Sequence, residues 1–155
     1  MNWTVTLDFV NNTPLYTLYP LTPTSTVAWY GECTEEPAVL YADGDGHAGE
    51  FGAKPLSMAG CTGMVAYTGL PDGSLVVLLV SQPVWDNNTT KVAFMSRGTP
   101  INLKTIQEIY HSNDYGPTAT YELIDGQGLA TLTLSSNTEQ GKNITATFTL
   151  DIDRL

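Results

Sequence analysis

Polar and apolar residues alternate with a period of two along most of the chain, which is typical of β-strands that are buried on one face. The alternation begins at Trp3 and continues to Val10, and turn-forming Asn, Asp, Gly and Pro residues separate the later segments. The pattern predicts strands at residues 3–10, 15–21, 26–30, 38–42, 62–67, 74–81, 91–96, 118–124, 129–135 and 143–152.

Two segments depart from this alternation. Residues 74–81 are almost wholly apolar, so we expect a strand that is buried on both faces. Residues 99–111 show apolar spacing typical of a helix, with Thr99 as the predicted cap and Pro100 at the first helical position. Many short strands with a single helix predict one all-β domain over residues 1–155, an antiparallel β-sandwich with one short helix.

The charge of the chain excludes one class of partner. The net charge is −10 with only six Lys and Arg residues, so the basic surface that nucleic acid requires is missing. Strong attachment to anionic lipid is disfavoured for the same reason, whereas neutral sugars and zwitterionic headgroups remain compatible. The N-terminal residues show no secretory signal pattern, so we expect a cytoplasmic protein or one released without a signal peptide.

Sequence motifs for catalysis and metal binding are missing. No paired His or Cys residues have zinc-binding spacing, and Asp43-x-Asp45-Gly lacks the third acidic position of a calcium loop. Because no nucleophile or phosphate-loop motif occurs either, we expect no enzymatic activity, no metal and no cofactor. We expect residues 43–47 to form an irregular acidic loop that contains His47. Cys33 and Cys61 form either one disulfide or two reduced thiols.

The segment that follows the apolar strand is the strongest candidate for a binding surface. Pro83, Trp85, Asn87 and Asn88 combine an aromatic face with amide groups on a semi-rigid loop. Such a loop suits a sugar, whose C–H face packs on an aromatic ring while amides fix its hydroxyls. It also suits a quaternary ammonium headgroup, which aromatic faces stabilise. The alternative is a structural role in which Trp85 closes the end of the sandwich.

Two groups of motifs resemble known families. Gly60-x-x-Gly63-x-x-Ala66-Tyr67, the Asp72-Gly73 turn and a strand ending Ser81-Gln-Pro83 resemble the central strands of actinoporins. The opening residues 1–10, Tyr121-Glu-Leu123, Gly128 and Asn143-Ile-Thr-Ala resemble fungal fruit-body lectins. Both families are β-sandwiches. The Pro83-x-Trp85 loop resembles aegerolysins to a lesser degree.

The resemblances imply where a ligand would bind. The actinoporin pattern implies a phosphocholine pocket at Thr62, Ser81, Pro83 and Tyr110. The lectin pattern implies a galactosyl or GalNAc site that involves the neighbourhood of Ala59-Gly60, the loop at Gln82-Pro83, and Tyr121. With the loop and helix-end residues added, the candidate ligand-binding residues are Gly60, Thr62, Ser81, Pro83, Trp85, Asn87, Tyr110, His111 and Tyr121.

We therefore expect a binding protein whose partner is a glycan or a lipid headgroup on a cell surface. The first hypothesis is a lectin-like protein that recognises cell-surface glycans. The second is a membrane-headgroup-binding cytolysin or toxin component of the actinoporin type. Actinoporins insert an amphipathic helix that precedes the first strand, whereas strand alternation begins here at Trp3, so we expect pore formation to require a toxin partner protein. A homo-oligomer and a structural protein without a ligand are further alternatives.

Overall fold

The computed structural model describes residues 3–155, and the lectin-like residues Met1 and Asn2 lie outside the described residues. Within this range the strands and the helix follow the order β1 (Thr4–Asn11), β2 (Tyr19–Pro20), β3 (Thr26–Tyr30), β4 (Glu32–Glu35), β5 (Gly44–Gly52), β6 (Cys61–Thr68), β7 (Leu75–Gln82), β8 (Thr89–Met95), α1 (Leu103–His111), β9 (Thr118–Asp125), β10 (Gly128–Thr138) and β11 (Asn143–Arg154).

The strands form two open sheets that pack face to face. One sheet has six strands in the order β4-β5-β1-β11-β10-β9. The other has five, in which β2-β6-β7-β8 are consecutive neighbours and β3 also pairs with β6. Every strand pairing is antiparallel except that of β1 with β11, which is parallel. The predicted β-sandwich is thus confirmed, with a parallel pair at the centre of the six-stranded sheet.

Alternate residues of the strands form the core between the sheets. In β1 the inward positions Val5, Leu7 and Phe9 are buried while the intervening residues are half-buried or exposed. They pack in one cluster with Val76 and Leu78 of the opposite sheet. Burial of this apolar area is the main stabilising contribution to the fold.

The five-stranded sheet is covered on its outer face by helix α1. The outward residues Val77 and Leu79 of β7 pack against Ile106 and Ile109 of the helix in a second cluster. All eight residues of β7 are therefore buried, as its apolar sequence predicts. Helix α1 begins at Leu103, where the side chain of Asn102 accepts a hydrogen bond from the Thr105 amide at 3.1 Å. The prediction of a Thr99 cap and a helix start at Pro100 was wrong, because Asn102 provides the better-placed acceptor.

The Gly- and Asp-rich segment is a strand and not the predicted loop. Residues 44–52 pair along the whole length of β1. At Gly46 a Cβ atom would lie 2.6 Å from Leu40 Cδ2, so a larger residue in this strand position would displace the buried Leu40 side chain. His47 therefore lies in a strand, with its Nε2 2.9 Å from Glu35 Oε2. The strand was missed because Gly and Asp have low strand propensity, and because its pairing partner β1 lies far away along the chain.

Two predicted strands are much shorter than expected. Of residues 15–21 only Tyr19 and Pro20 belong to a strand, and residues 38–42 contribute a single bridge between Leu40 and Leu18. The buried amide of Asn11 donates to the carbonyls of Tyr16 at 2.7 Å and Leu40 at 3.3 Å. These hydrogen bonds satisfy two backbone carbonyl oxygens that would accept from the amides of a neighbouring strand if the strands were longer.

Cys33 and Cys61 are both free thiols and lie in different sheets. The Cys61 thiol donates to Gln82 Oε1 at 3.3 Å, and burial raises the pKa of Cys61 to about 12. A thiol with so high a pKa forms little reactive thiolate at neutral pH. Of the two alternatives left open by the sequence, the structure therefore contains reduced thiols.

Candidate ligand-binding site

A pair of buried hydroxyl groups lies at the end of the two central strands of the five-stranded sheet. Thr62 of β6 and Ser81 of β7 are register partners, and their side-chain oxygens are 3.0 Å apart. They lie on the face covered by the helix, like Met64 and Leu79 two residues away. The residues are only 5% and 2% exposed, and they bond to each other, which leaves one hydroxyl hydrogen for another acceptor.

The two strand ends approach each other closely because of Gly60. This residue has a positive φ of 73°, and a Cβ atom would lie 2.0 Å from the Gln82 carbonyl oxygen and 3.3 Å from Pro83 Cα. No side chain fits at this position. Gly60 therefore contributes the shape of its backbone, and no side chain, to this end of the sheet, where it lies against Pro83.

The hydroxyl pair belongs to a row of oxygen-bearing side chains across the sheet. Tyr30 of β3 is the register partner of Thr62, and Thr89 of β8 is the register partner of Ser81. Neighbouring strands are about 4.8 Å apart, so the row spans roughly 14 Å. This row contains no carboxylate.

An aromatic cluster forms beside one end of this row. The Trp29 ring stacks on Tyr30 with centroids 4.9 Å apart. Tyr110 and His111, at the C-terminus of the helix, contact the same Trp29 ring edge-on at 5.2 and 5.4 Å. The helix end thus brings Tyr110 and His111 to the strand that pairs with Thr62.

Lys91 fixes the helix end in this position. Its ammonium group donates to the carbonyl oxygens of Ile109 at 3.0 Å, Tyr110 at 2.8 Å and Ser112 at 2.8 Å. A cation at a helix C-terminus is favourable because it satisfies the last carbonyls and complements the helix dipole. All three ammonium hydrogens are used, so Lys91 orients the aromatic cluster and keeps no donor for a ligand.

The Trp85 loop, residues 83–88, extends from the same end of the sheet and is anchored at both of its ends. Gln82 donates to the Gly141 carbonyl at 3.2 Å, and Asn88 donates to the same carbonyl at 3.1 Å. The Gln140 side chain accepts from the backbone N–H of Asn88 and donates to its backbone carbonyl. Asn88 is buried, and its side-chain amide anchors the loop. The prediction that Asn88 belongs to the binding rim was therefore wrong.

The middle of the Trp85 loop carries exposed side chains. Trp85 is 78% exposed and Asn87 is also exposed, so Trp85 does not close the end of the sandwich. The Met58 loop, residues 53–60, ends beside the Trp85 loop and presents Leu56, which is fully exposed, and Met58, which is 69% exposed. Three large apolar side chains thus face solvent on two adjacent loops at the hydroxyl end of the sheet.

Solved structures share this architecture. No protein-family model matches the chain, and no curated protein matches its sequence. The lipid-binding protein Nakanori aligns with a TM-score of 0.68 and 11% identity over 97% of this chain and 72% of that one. The wild-type lectin XCL of Xerocomus chrysenteron aligns with a TM-score of 0.57 and 12% identity over 97% and 100% of the two chains, and a mutated form gives 0.58 and 13% over 97% and 99%. The chain therefore has the same β-sandwich fold as this lipid-binding protein and this fungal lectin.

This shared fold confirms the β-sandwich that the motif resemblances imply. Across residues 3–155, no helix has the length and apolar character that crossing a membrane requires. In the same part of the chain, His, Cys, Asp and Glu form no group of three or more that could hold a metal ion.

Tyr121 lies away from the other candidate residues. Its hydroxyl donates to the Asp72 carboxylate and accepts from Ser74 Oγ at 2.9 Å, while its ring stacks on Phe94 at 5.3 Å. Ser74 precedes the start of β7, and Ser81 lies near its end, seven residues or about 23 Å further on. A small ligand at the hydroxyl pair therefore does not contact Tyr121, contrary to the arrangement that the lectin resemblance implies.

Sequence reasoning missed several contributors to the site. Trp29 and Tyr30 end a correctly predicted strand, and their adjacent aromatic rings were the available signal. Lys91 gave no signal, because its partners are backbone carbonyls of a helix that lies 18 to 21 residues further along the chain. Met58 lies in a segment without a periodic pattern.

Proposed function

We propose that this protein binds a zwitterionic, choline-type lipid headgroup at a membrane surface, and that it acts without catalysis. The observation that carries the proposal is the hydroxyl pair of Thr62 and Ser81 beside the aromatic cluster of Trp29, Tyr30 and Tyr110. Aromatic faces stabilise a quaternary ammonium cation, and the one hydroxyl hydrogen that the Thr62–Ser81 pair leaves free can be donated to the phosphate. The row of oxygen-bearing side chains holds no carboxylate that would repel the phosphate.

The exposed loops support a membrane surface as the location of this headgroup. Leu56, Met58 and Trp85 face solvent at the end of the sheet that carries the hydroxyl pair. Apolar and aromatic side chains of this kind are favourable at the boundary between headgroups and acyl chains. With a net charge of −10, the protein would be repelled by anionic lipid and would select zwitterionic membranes.

Vesicle co-sedimentation tests the proposal. Vesicles of phosphatidylcholine and sphingomyelin, without glycolipid, should retain the protein, and Thr62→Val should weaken retention about tenfold through loss of a hydrogen bond to a charged group. The matched control is Thr131→Val on the six-stranded sheet, which should leave retention unchanged. Circular dichroism confirms that both variants are folded. Equal retention of the wild type and Thr62→Val would contradict the assignment of the site.

Neutral-glycan recognition is the second candidate function. It is favoured by Trp85 and Asn87, which are both exposed on the same loop, since an aromatic ring and an amide are a combination that suits a sugar. A glycan array distinguishes the two functions. Binding to galactosyl, GalNAc or GlcNAc glycans that Trp85→Ala abolishes supports the second candidate, and no binding to any of these glycans excludes it.

A further inference from the structure

A second concave surface lies at the other end of β7, away from the hydroxyl pair. Residues 21–24, residues 97–101 and the ends of β6 and β7 enclose a groove with a volume of about 490 Å³. Its floor is apolar and consists of Leu21, Leu75 and Ile101, which belong to the cluster beneath the helix. Small-molecule sites have volumes of about 300–1,000 Å³ and combine such a floor with a few polar groups.

The rim of the groove supplies those polar groups. Arg97 lines it together with the threonine residues Thr22, Thr24 and Thr68. Arg97 is exposed, and its stem lies over Gly73, where a Cβ atom would lie 2.8 Å from Arg97 Cδ. Because Gly73 has no side chain, the aliphatic stem of Arg97 can pack directly on its backbone at the rim of the groove.

The two arginines of the chain differ in their partners. Arg154 forms two hydrogen bonds with the Asp125 carboxylate, at 3.0 and 2.7 Å. Within residues 3–155, Arg97 has neither a hydrogen bond nor an ion pair, so its planar fork of donors remains available to a ligand. An arginine fork matches a carboxylate in a bidentate manner.

The surroundings of Arg97 favour an anion despite the negative charge of the whole protein. Residues 97–104 contain two cations, Arg97 and Lys104, and no acidic residue. Helix α1 begins directly after the groove and has no acidic residue in its first turn, so its N-terminal partial positive charge is not offset there. The nearby Asp72 carboxylate accepts hydrogen bonds from the Tyr121 hydroxyl and the Ser74 amide, which partly compensate its charge.

We propose that this groove binds the carboxylate of an acidic sugar residue, such as a sialic acid or a hexuronic acid at the end of a glycan. Arg97 would hold the carboxylate, the threonine hydroxyls would bond to sugar hydroxyls, and the apolar floor would take the C–H face of the ring. The groove and the headgroup site lie at opposite ends of β7, so this inference goes beyond the proposed function and its test is independent.

Isothermal titration of the full chain with 3′-sialyllactose, a glucuronic-acid-terminated disaccharide and neutral lactose tests the inference. At least one acidic sugar should bind about tenfold or more tightly than lactose, since a bidentate charged contact contributes about that factor. The better of the two acidic ligands identifies the source of the carboxylate. Amide NMR signals of Gly98 and Thr99 should shift on binding.

Two variants assign the contact to Arg97. Arg97→Gln should reduce acidic-sugar affinity to the level of lactose, whereas Arg97→Lys should retain part of it. The matched control Lys54→Gln removes one positive charge outside the groove and should leave affinity unchanged. Equal binding of lactose and the acidic sugars, no binding of either acidic sugar, or wild-type affinity of Arg97→Gln would overturn the proposal.

Discussion

The two ends of strand β7 open onto surfaces of different chemistry. At the Ser81 end, buried hydroxyls lie beside stacked aromatic rings, and the adjacent loops expose Met58 and Trp85. At the Leu75 end, the groove is lined by threonine hydroxyls and by Arg97. One continuous buried strand therefore supports an apolar surface at one end and a polar, locally cationic surface at the other. The sheets supply a rigid frame, and the loops supply the chemistry.

The polar contacts near the two ends also differ. At the Ser81 end, neutral amides of Gln82 and Asn88 donate to backbone carbonyls of residues 139–142. Beyond the Leu75 end, the Asp125 carboxylate accepts hydrogen bonds from Arg154 and from the Tyr16 hydroxyl. Neutral bonds do not titrate, whereas the carboxylate does. We therefore expect conformational stability to depend on pH through the second end.

The largest effect should come from filling the glycine at the Ser81 end. Gly60→Ala combines a positive φ with a Cβ atom 2.0 Å from a backbone oxygen, so the free energy of unfolding should fall by at least about 3 kcal/mol. Gly98→Ala is the matched control in the groove. Gly98 also has a positive φ, of 86°, but nothing lies within 4 Å, so the loss should be only about 1 kcal/mol. Urea denaturation measures both, and equal losses would contradict this description of the Ser81 end.

Removal of the Lys91 ammonium group should have the next largest effect. Lys91→Met leaves three carbonyls of the helix end without their donor, and stability should fall by about 1–2 kcal/mol. Amide hydrogen exchange at residues 109–112 should become faster. Lys104→Met, in the first turn of the same helix, is the control and should change neither quantity. Unchanged exchange in Lys91→Met would show that the helix end is held by packing alone.

A smaller effect is expected for Asp125, and it should depend on pH. Hydrogen bonds from Arg154 and Tyr16 hold the pKa of Asp125 well below its usual range. The stabilisation is thus fully present above the unfolded-state pKa of about 3.9 and is lost as the pH falls from there toward the lower folded-state pKa. Asp125→Asn should reduce stability at pH 7 and flatten its decline below pH 4. Thermal unfolding from pH 7 to pH 2 provides the measurement, and an unaltered acid decline would exclude this carboxylate as a cause.

The smallest effect on stability should come from Trp85. Because this side chain is 78% exposed, Trp85→Ala should change the free energy of unfolding by less than about 0.5 kcal/mol. Vesicle retention should nevertheless fall about tenfold, since the ring would no longer be buried at the membrane surface. Ile124→Ala, 76% exposed on the edge strand β9, is the control for loss of an exposed apolar group. Equal retention of the wild type, Trp85→Ala and Ile124→Ala would show that the Trp85 ring does not contribute to membrane binding.

The sequence predicted those parts of the fold whose burial is periodic. The alternation over β1 and the unbroken apolar run of β7 directly reflect one-sided and two-sided burial, and both strands were correctly predicted. Strand β5 was missed because its glycine residues reflect long-range packing, such as that of Gly46 against the Leu40 side chain, which no local pattern records. The shortening of residues 15–21 likewise depends on the buried amide of Asn11.

The candidate site was predictable in part. Motif resemblance brought Thr62 and Ser81 together correctly, since adjacent strands of a hairpin have a register that their connecting turn defines. The contributions of Trp29 and Lys91 depend on how the helix packs across the sheet, which is a tertiary property. The separation of Tyr121 from the site is also a tertiary property, because β9 belongs to the six-stranded sheet whereas Thr62 and Ser81 belong to the five-stranded sheet.

The most direct test of the central claim is an NMR titration of the protein with phosphocholine, with lactose as the neutral comparison. The account predicts that phosphocholine shifts the amide signals of Thr62 and Ser81 and the indole signal of Trp29, while the signals of Gly98 and Tyr121 stay in place. Shifts confined to the groove at Arg97, or no shift at any of these residues at saturating phosphocholine, would contradict a headgroup site beside the hydroxyl pair.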